Sequence, residues 1–383
     1  MGKAPNEEKQ YRRRLLSRHI VLVIPDLGKA GAERILTTYA NHWVSVGYKV
    51  TIILLIKDAR IEYKLNKKIK LLIIPILKYF KLKIIDSVFS WFCIFKLRKA
   101  IVALSPCIVI SFMVDLESII ALSGLDVPLI VSLHADPVYR DSKTKLYRKI
   151  LIKLFYHNAF KIHLLTDSAA NFFNYLKNVL VIPNPVNRAK VEKLELIFPC
   201  RKLVSIGQLI PSKRFDILIE AFSRVLSQFE DLRLEIYGEG PERNALEQLI
   251  DHLKLKSRVF LPGIRDDIDS LLFNSDIFVS SSETESFGMA VCEAMAVGCV
   301  VVGSNCSGLN DVIQDRVNGR LFNVGSVDHL SKILIELLSD QNQCRLLSKN
   351  AKKIVDRFSS EKVFKLWDTV FLEAGFIKPV ALM

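Results

Sequence analysis

The chain has 383 residues, half of them hydrophobic and a quarter charged, a composition that is typical of a globular protein and excludes a disordered one. This length predicts two domains, each able to bury a core of its own. A membrane-spanning helix needs about 20 uninterrupted apolar residues. The longest run without a formal charge, about Ile101 to Val114, is shorter and contains Ser105 and Pro106, so we expect no transmembrane helix.

The N terminus and the cysteines indicate a cytoplasmic protein. Arg12, Arg13 and Arg14 precede two leucines, as in the basic region of a signal peptide, but Arg18 interrupts the apolar stretch at once. The seven cysteines are scattered, odd in number and form no CxxC pair, so they predict neither a disulfide framework nor a zinc site. We therefore expect the protein in a reducing cytosol.

Basic residues are concentrated in the first half of the chain. Residues 1–198 carry a net charge of +17, and residues 199–383 a net charge of −3. Between Lys57 and Lys99, 12 basic and 3 acidic residues alternate with aliphatic and aromatic ones. This pattern fits a surface that meets anionic membrane head groups, or equally a solvated face over ordinary core helices. No nucleic-acid motif accompanies the charge, so we expect no nucleic-acid partner. The lysines proposed for the membrane or acceptor side are Lys67, Lys68, Lys70, Lys78, Lys81 and Lys83.

Short Val/Ile-rich runs alternate with amphipathic segments, the pattern of parallel sheets covered by helices. The strands predicted in the first half are His19 to Ile24, Lys49 to Leu55, Ile69 to Pro75, Cys107 to Phe112, Pro128 to Leu133, Lys161 to Thr166 and Val179 to Pro183. The helices predicted among them include Ala32 to Val46 and Ile84 to Leu104.

The pattern restarts after Pro199. The strands predicted there are Lys202 to Ile206, Leu232 to Tyr237, Arg258 to Leu261, Asp276 to Ser280 and Cys299 to Val302. A long amphipathic helix is predicted at Ser360 to Ala374, and the proline-rich segment Asn184 to Pro199 is a plausible linker. The restart predicts two Rossmann-like domains with a ligand in the cleft between them, because parallel sheets bind ligands beyond the carboxyl ends of their strands.

Three loops that join a predicted strand to a helix carry polar or glycine residues. In the first loop, Gly28 and Gly31 allow close approach of a phosphate to a helix start, although the loop lacks a GxGxxG fingerprint. In the second, Lys213 is predicted to open a helix, where a cation is unfavourable unless it meets an anion. A solvated surface lysine is the alternative.

The third loop contains Glu285, with Glu293 further along. A helix that begins near Phe287 would direct its amides at a diphosphate and place Glu293 about two turns along. One carboxylate could then accept hydrogen bonds from sugar hydroxyls, and the other from a ribose diol. The alternative for Glu285 is a capping carboxylate, whereas Glu293 lies among apolar neighbours and needs a partner if it is buried.

In this order, the motifs resemble those of glycosyltransferase family 4, whose members have the GT-B fold of two facing Rossmann-like domains. The resemblance covers almost all of the chain beyond residue 19. It rests on Gly31-Ala32-Glu33-Arg34, His134, Ile182-Pro183-Asn184-Pro185-Val186, Gly207 with Lys213, Gly238-Glu239-Gly240-Pro241, and Glu285 and Glu293 with seven residues between them.

The resemblance implies donor-binding roles. Glu293 would bind the ribose, Glu285 would contact the 3- and 4-hydroxyls of the transferred sugar, and the loop at Ile264 would frame the base. The amides that would hold the diphosphate belong to Ser286, Phe287 and Gly288. His134, at the end of a predicted strand, would contact a donor-sugar hydroxyl beside the anomeric centre, although a lone histidine there is more commonly structural. Asp136 is a candidate for the acceptor side.

The chain departs from the family at one donor-binding position. In the family an Arg, and a Lys five residues later, hold the diphosphate. Here Lys213 fills the second position, but Gln208 fills the first and brings no charge. We expect either weaker donor affinity or a substitute cation, for which Arg34 and Arg214 are nearby in the sequence.

The family mechanism retains the anomeric configuration by front-face attack, in which the leaving phosphate takes the acceptor proton. Stabilising that phosphate is the main electrostatic task, and it would fall to Lys213, the helix amides after Glu285 and the Gly31 loop. The mechanism requires no divalent metal and no cofactor, since the nucleotide sugar is a substrate. The acidic run at 266–269 is predicted to cap a short helix instead.

Together these features predict a retaining, metal-independent glycosyltransferase. It would move a hexose or N-acetylhexosamine, with UDP-sugar as the expected donor, to a lipid-linked acceptor at the cytoplasmic membrane face. The expected divisions are a basic extension at 1–18, an acceptor-binding domain at 19–195, a nucleotide-sugar-binding domain at 196–358, and a helix at 359–383 that returns to the N-terminal domain. The alternatives are a nucleotide-sugar 2-epimerase of the same fold and a catalytically silent membrane adaptor.

Overall fold

The structure is a computed structural model that describes residues 18–28, 30–75, 86–112, 122, 124–137 and 153–376, with the backbone alone for residues 86–94. It contains two compact units. One runs to Ile182 and resumes at Phe364, and the other is Pro183–Val363. Apart from its last residue, Arg18, the predicted basic extension lies outside the described residues, as do Lys78, Lys81 and Lys83.

The first unit is built on a parallel sheet of seven strands in the order β3-β2-β1-β4-β5-β6-β7. The strands are β1 (His19–Ile24), β2 (Lys49–Leu54), β3 (Lys70–Ile73), β4 (Ile108–Ser111), β5 (Leu129–Ser132), β6 (Lys161–Leu164) and β7 (Val179–Val181). The helices are α1 (Gly31–Ser45), α2 (Asp86–Leu104) and α3 (Asp167–Phe172). The central strands are continuous apolar runs because helices cover parallel sheets on both faces.

The second unit has a parallel sheet of six strands in the order β10-β9-β8-β11-β12-β13. The strands are β8 (Lys202–Ile206), β9 (Arg233–Tyr237), β10 (Val259–Gly263), β11 (Ile277–Ser280), β12 (Val300–Ser304) and β13 (Arg320–Phe322). The helices are α4 (Phe215–Val225), α5 (Arg243–His252), α6 (Ile268–Phe273), α7 (Met289–Val297), α8 (Leu309–Val312), α9 (Val327–Ser339), α10 (Gln341–Ala351) and α11 (Ile354–Arg357). The prediction of two Rossmann-like α/β domains is confirmed.

The twelve predicted strands are present, with ends that differ by two residues or fewer, but β13 was missed. It has three residues, and its first, Arg320, is a poor signal for a buried strand. Arg320 is nevertheless 2% exposed because its guanidinium pairs with Asp315 and Glu336. The buried charge is balanced by carboxylates that remain partly exposed, a pairing that no local pattern in the sequence reveals.

Helix α12 (Ser360–Glu373) begins in the second unit and ends in the first. Its Trp367 is fully buried and makes edge-on ring contacts with Tyr39 and Trp43 of α1, at centroid distances of 5.4 and 5.6 Å. Phe371 packs on Trp43 at 5.2 Å. The core of the first unit therefore includes side chains from the far end of the described chain.

In the described residues, every helix is too short or too polar to cross a bilayer.

We predict that Trp367→Ala lowers the free energy of unfolding by about 3–5 kcal/mol, because it removes a fully buried indole ring from an aromatic cluster and leaves a cavity. Urea titration followed by circular dichroism measures the change. Leu366→Ala, on the same helix but 45% exposed, is the matched control and should change stability by less than about 0.5 kcal/mol. Equal effects of the two substitutions would contradict this role for α12.

Candidate functional site

The candidate site in the second unit lies where the strand order of its sheet reverses. β8 pairs with β9 on one side and with β11 on the other, and these neighbours continue in opposite directions across the sheet. Loops that leave the carboxyl ends of strands at such a point diverge and open a crevice. The loop after β8 contains Lys213, and the loop after β11 contains Glu285.

Three contacts join these two loops, and a fourth lies within the loop after β11. The Lys213 ammonium is ion-paired with Glu285 Oε1, and Ser282 Oγ donates to the same oxygen over 3.0 Å. Ser281 Oγ donates to the Lys213 carbonyl over 2.8 Å, and the Glu283 amide donates to the Ser212 carbonyl over 2.7 Å. Both charged side chains keep part of their surface, 23% for Lys213 and 17% for Glu285. The structure thus brings together two of the predicted site residues.

The other carboxylate oxygen, Glu285 Oε2, accepts no hydrogen bond from any described residue. The fixed Oε1 orients the carboxylate, and Oε2 remains available to a ligand hydroxyl. The arrangement is therefore a held carboxylate with one open acceptor beside a cation.

The prediction that Lys213 opens a helix is wrong. Lys213 is the last residue of a 3-10 turn, Pro211–Lys213, and α4 begins at Phe215. Between them Arg214 has a φ of 48°, a left-handed conformation that ends the turn and starts the helix in a new direction. The lysine is thus not at a helix N-terminus, and Glu285 supplies the anion beside it.

The predicted start of α7 near Phe287 is also wrong, because the helix begins at Met289. Gly288 has a φ of 77° and cannot be part of a right-handed helix. Glu293 therefore lies about one turn into α7 rather than two. The Glu293 side chain is half-buried. Its apolar neighbours on α7 are buried, namely Val291, Cys292, Ala294, Met295 and Ala296.

Gln208, which replaces the expected arginine, is exposed on the loop after β8. Arg214 does not replace the missing charge at this position, because its guanidinium is bound to both carboxylate oxygens of Asp216, at 2.9 to 3.2 Å. Arg34 belongs to the other unit. The second unit thus places one cation here, Lys213, where the family pattern has two.

At the carboxyl end of β10, Ile264 is 57% exposed and available for an apolar contact. Arg265 beside it is paired with Asp267 at 2.8 Å. Asp267 of the acidic run occupies the N-cap position of α6, as predicted, but its side chain makes no capping hydrogen bond. Asp269 instead accepts a hydrogen bond from the Lys190 amide over 3.0 Å.

The backbone of the motif Gly238-Glu239-Gly240-Pro241 packs directly against the backbone of the loop after β8. Gly238 has a φ of 144°, and a Cβ at this position would lie 1.8 Å from the Gly207 carbonyl oxygen. A Cβ on Gly240 would lie 2.3 Å from the Leu209 carbonyl oxygen. The Glu239 carbonyl in turn accepts from the Leu209 amide over 2.9 Å. Glycine is required here because two backbones touch.

In the first unit, Gly31 is exposed at the first position of α1, and a Cβ added to it would meet nothing within 4 Å. Asp136 is 8% exposed, and Lys67, Lys68 and Lys70 are exposed. The structure leaves room for a ligand at Gly31 and hides most of the carboxylate predicted for the acceptor side.

His134 follows β5 and belongs to a chain of hydrogen-bonding groups. Its Nε2 lies 2.9 Å from Ser132 Oγ, which lies 2.7 Å from His163 Nδ1. His163 Nε2 lies 2.8 Å from the Ile182 carbonyl oxygen. The His134 ring also stacks on Phe112 at 4.8 Å.

Burial lowers the pKa of both histidines, of His134 to about 3 and of His163 to about 4. For His134 the neighbouring His163 contributes a smaller lowering. Both rings are therefore neutral at physiological pH. A neutral His134 is able to donate from one ring nitrogen and accept at the other.

Sequence reasoning missed Ser282, Ser132 and His163. The run Ser280-Ser281-Ser282 was visible after β11, but its contacts depend on the conformation of two loops. The signal for His163 was a histidine inside an apolar strand, which indicates a buried ring with partners on both nitrogens.

Two family models match consecutive parts of the chain. The model for Glycosyltransferase Family 4 matches residues 30–190, and the model for Glycosyl transferases group 1 matches residues 192–354. The first match includes Gly31 and His134, and the second includes Gln208, Lys213 and the segment from Glu285 to Glu293.

Two curated relatives match over part of their length. A segment of 172 residues is 32% identical to the N-acetyl-alpha-D-glucosaminyl L-malate synthase of Bacillus anthracis and covers 45% of each chain. A segment of 199 residues is 28% identical to the poly(ribitol-phosphate) alpha-N-acetylglucosaminyltransferase of Staphylococcus aureus and covers 51% of this chain and 40% of that one. The matched segments thus span less than half the length of these relatives.

Among solved structures, the Anabaena protein HepE in complex with UDP superposes with a TM-score of 0.79. The two sequences are 18% identical, and the match covers 93% of this chain and 100% of that one. The chain thus contains a Glycosyltransferase Family 4 region followed by a Glycosyl transferases group 1 region, and it shares the fold of HepE. The contact between Lys213 and Glu285 lies in the group 1 region, at the strand-order reversal of the second Rossmann-like unit.

We predict that Gly238→Ala displaces the Gly207–Leu209 loop and lowers the free energy of unfolding by about 1–3 kcal/mol, because the new methyl group overlaps a carbonyl oxygen. Thermal denaturation measures the effect. Gly31→Ala is the control, since its methyl group enters open space, and should change stability by less than about 0.5 kcal/mol. Wild-type stability of Gly238→Ala would contradict the packing described.

Proposed function

We propose that the protein is a retaining glycosyltransferase of family 4 that transfers a hexose or N-acetylhexosamine from UDP to a lipid-linked, phosphate-bearing acceptor at the cytoplasmic membrane face. The contact of Lys213 with Glu285 at the strand-order reversal carries this proposal. It supplies a cation for a diphosphate and, next to it, an open carboxylate oxygen for sugar hydroxyls.

Departure of the nucleotide places negative charge on the diphosphate, and this charge must be stabilised as the anomeric bond breaks. In the proposal, Lys213 and the amides of Ser286, Phe287 and Gly288 perform this task. α7 adds the positive end of its dipole, since Gly288 immediately precedes its first residue. Gln208 contributes a hydrogen bond without charge, so we expect donor affinity to depend strongly on Lys213.

The remaining roles follow the family pattern. Glu285 binds the 3- and 4-hydroxyls of the sugar through its open Oε2, and His134 contacts another hydroxyl near the anomeric carbon. Glu293 binds the ribose, and the exposed Ile264 packs on the base. Retention would arise from front-face attack, in which the leaving phosphate accepts the proton of the acceptor, so that the reaction requires neither a metal nor a covalent intermediate.

Two similarities support the choice of donor and acceptor. HepE, which shares the fold, is described in complex with UDP. The Staphylococcus aureus relative is named for poly(ribitol-phosphate), a phosphate-bearing acceptor. A phosphate on the acceptor also suits the net positive charge of residues 1–198.

We predict that UDP and UDP-sugars, but not GDP or GDP-sugars, raise the melting temperature, because a ligand that binds only the folded state stabilises it by mass action. At one hundred times the dissociation constant the gain is about 2.7 kcal/mol. Lys213→Ala should abolish the shift, since it removes the cation beside the diphosphate. Thermal-shift titration measures both effects.

The matched control is Lys256→Ala, in the same unit, where an exposed ammonium is paired with Asp251. It should leave the UDP shift unchanged. Gln208→Arg should strengthen UDP binding several-fold, because a charged donor bonds a phosphate about twice as strongly as a neutral one. Transfer with retained configuration to an added acceptor supports the function. Epimer formation without an acceptor would identify a 2-epimerase and overturn it.

Part of the proposed membrane surface is visible in the first unit. Lys67 and Lys68 are exposed just before the sheet-edge strand β3, and the strand itself carries the exposed Lys70 and Ile73, the latter 52% exposed. On α2, Phe95 is 65% exposed. Exposed apolar side chains among lysines suit the interface of an anionic bilayer, where each basic residue contributes about 1 kcal/mol.

We predict that replacing Lys67, Lys68, Lys70, Lys78, Lys81 and Lys83 with Gln abolishes sedimentation with vesicles that contain phosphatidylserine, because it removes the attraction to anionic head groups. The control replaces six exposed lysines of the other half, Lys254, Lys256, Lys332, Lys349, Lys353 and Lys362, and should sediment like wild type. Equal sedimentation of both variants would contradict the proposed surface.

A further inference from the structure

The three hydrogen bonds that link Ile182, His163, Ser132 and His134 can be formed with only one assignment of donors and acceptors. A carbonyl oxygen only accepts, so His163 Nε2 must carry a proton and donate to Ile182 over 2.8 Å. The pKa of His163, lowered to about 4 by burial, keeps the ring neutral, so its Nδ1 is an unprotonated acceptor. Ser132 Oγ, 2.7 Å away, therefore donates its single hydrogen to His163.

This direction fixes the role of His134. Because the Ser132 hydrogen is directed at His163, the oxygen offers only lone pairs to His134. His134 Nε2, 2.9 Å away, must then carry the proton and donate to Ser132. The neutral ring has no second proton, so His134 Nδ1 is left as a lone-pair acceptor. No described residue bonds to Nδ1, and the side chain is only partly buried.

We propose that Ser132 and His163 are positioning residues that hold His134 as its Nε2–H tautomer, so that Nδ1 accepts a hydrogen bond from a hydroxyl of the donor sugar. The identity of that hydroxyl as part of a sugar rests on the function proposed above. The direction of the hydrogen-bond chain does not, because it follows from the first unit alone.

The tautomer matters for the charge that develops in the reaction. Breaking the bond between the anomeric carbon and the phosphate makes the sugar electron-poor. A lone pair that accepts from a sugar hydroxyl increases electron density on that oxygen and opposes this loss. An N–H at the same position would instead withdraw density and leave the hydroxyl hydrogen without a partner.

Ring packing holds both histidines in place. His134 stacks on Phe112 at an interplanar angle of 15°, and Trp367 contacts His163 edge-on at 4.9 Å. Neither contact uses a ring nitrogen, so packing sets the ring planes and the hydrogen bonds set the protons. His163→Phe would keep the ring packing and remove the hydrogen bonds to Ser132 and Ile182.

The first experiment is nitrogen-15 NMR of the imidazoles in the ligand-free full chain, with the His134 signals assigned by comparison with His134→Gln among the seven histidines. We expect His134 to be protonated at Nε2 and bare at Nδ1. In His163→Phe the Ser132 hydrogen loses its acceptor and turns to His134 Nε2, so the proton of His134 should move to Nδ1. His163→Gln supplies an amide for Ile182 and an oxygen for Ser132, and should keep the wild-type tautomer.

The second experiment measures sugar transfer by the same variants. We expect His163→Phe to lower kcat about ten- to hundred-fold with little change in KM for the nucleotide sugar, because the diphosphate contacts lie in the other unit. His163→Gln should restore kcat to within about threefold of wild type. A purely structural role for His163 would lower the melting temperature in both variants without moving the proton of His134.

The outcomes separate this inference from the proposed function. Wild-type His134 protonated at Nδ1, or an unchanged tautomer in folded His163→Phe, would overturn the inference whatever the activity. If no sugar transfer occurs but the tautomers behave as expected, the function fails and the hydrogen-bond chain stands. If His163→Phe does not fold, the wild-type and His163→Gln spectra still decide the question.

Discussion

The reversal of strand order between β8 and β11 is the constraint on which the candidate donor site depends. Since β9 continues the sheet on one side and β12 on the other, the loops after β8 and β11 leave adjacent strands and diverge. Lys213 and Glu285 are 72 residues apart in sequence, yet they meet because their strands are neighbours. Glycines then allow the backbones of the site loops to approach one another closely. Gly308 is a further close approach beside those at Gly238 and Gly240, since a Cβ there would lie 2.4 Å from the Glu285 carbonyl oxygen.

The sequence was sufficient for the fold because its strong signals are local. Apolar runs such as His19–Ile24 are buried along their whole length, and the restart after Pro199 marks a second sheet. Errors occurred where a single backbone angle decides the outcome. Arg214 and Gly288, both in the left-handed region, moved two predicted helix starts by two residues. The strand β13 was missed because ion pairs with two partly exposed carboxylates stabilise its buried arginine.

The sequence predicted which residues form the candidate site, but not the hydrogen bonds that orient them. Motif spacing indicated Lys213, Glu285 and His134. Ser282 and Ser132 lie close in sequence to the side chains they contact, but these contacts depend on the conformation of the loops, and His163 comes from a different strand. In each unit a serine hydroxyl contacts one of the two hydrogen-bonding atoms of a site side chain. Ser282 fixes one oxygen of a carboxylate and leaves the other open, and Ser132 occupies one nitrogen of an imidazole and leaves the other open.

The path of α12 has a consequence for the order in which the protein is made. The second unit is one continuous stretch, Pro183–Val363, and has all of its residues once Val363 has left the ribosome. The first unit, although its synthesis begins earlier, lacks Trp367 and Phe371 until the final helix emerges. Until then, the aromatic faces of Tyr39 and Trp43 have no covering ring from that helix. The first unit therefore begins synthesis first but is completed last. The part of its aromatic core that α12 covers stays without that cover while the whole second unit is synthesised.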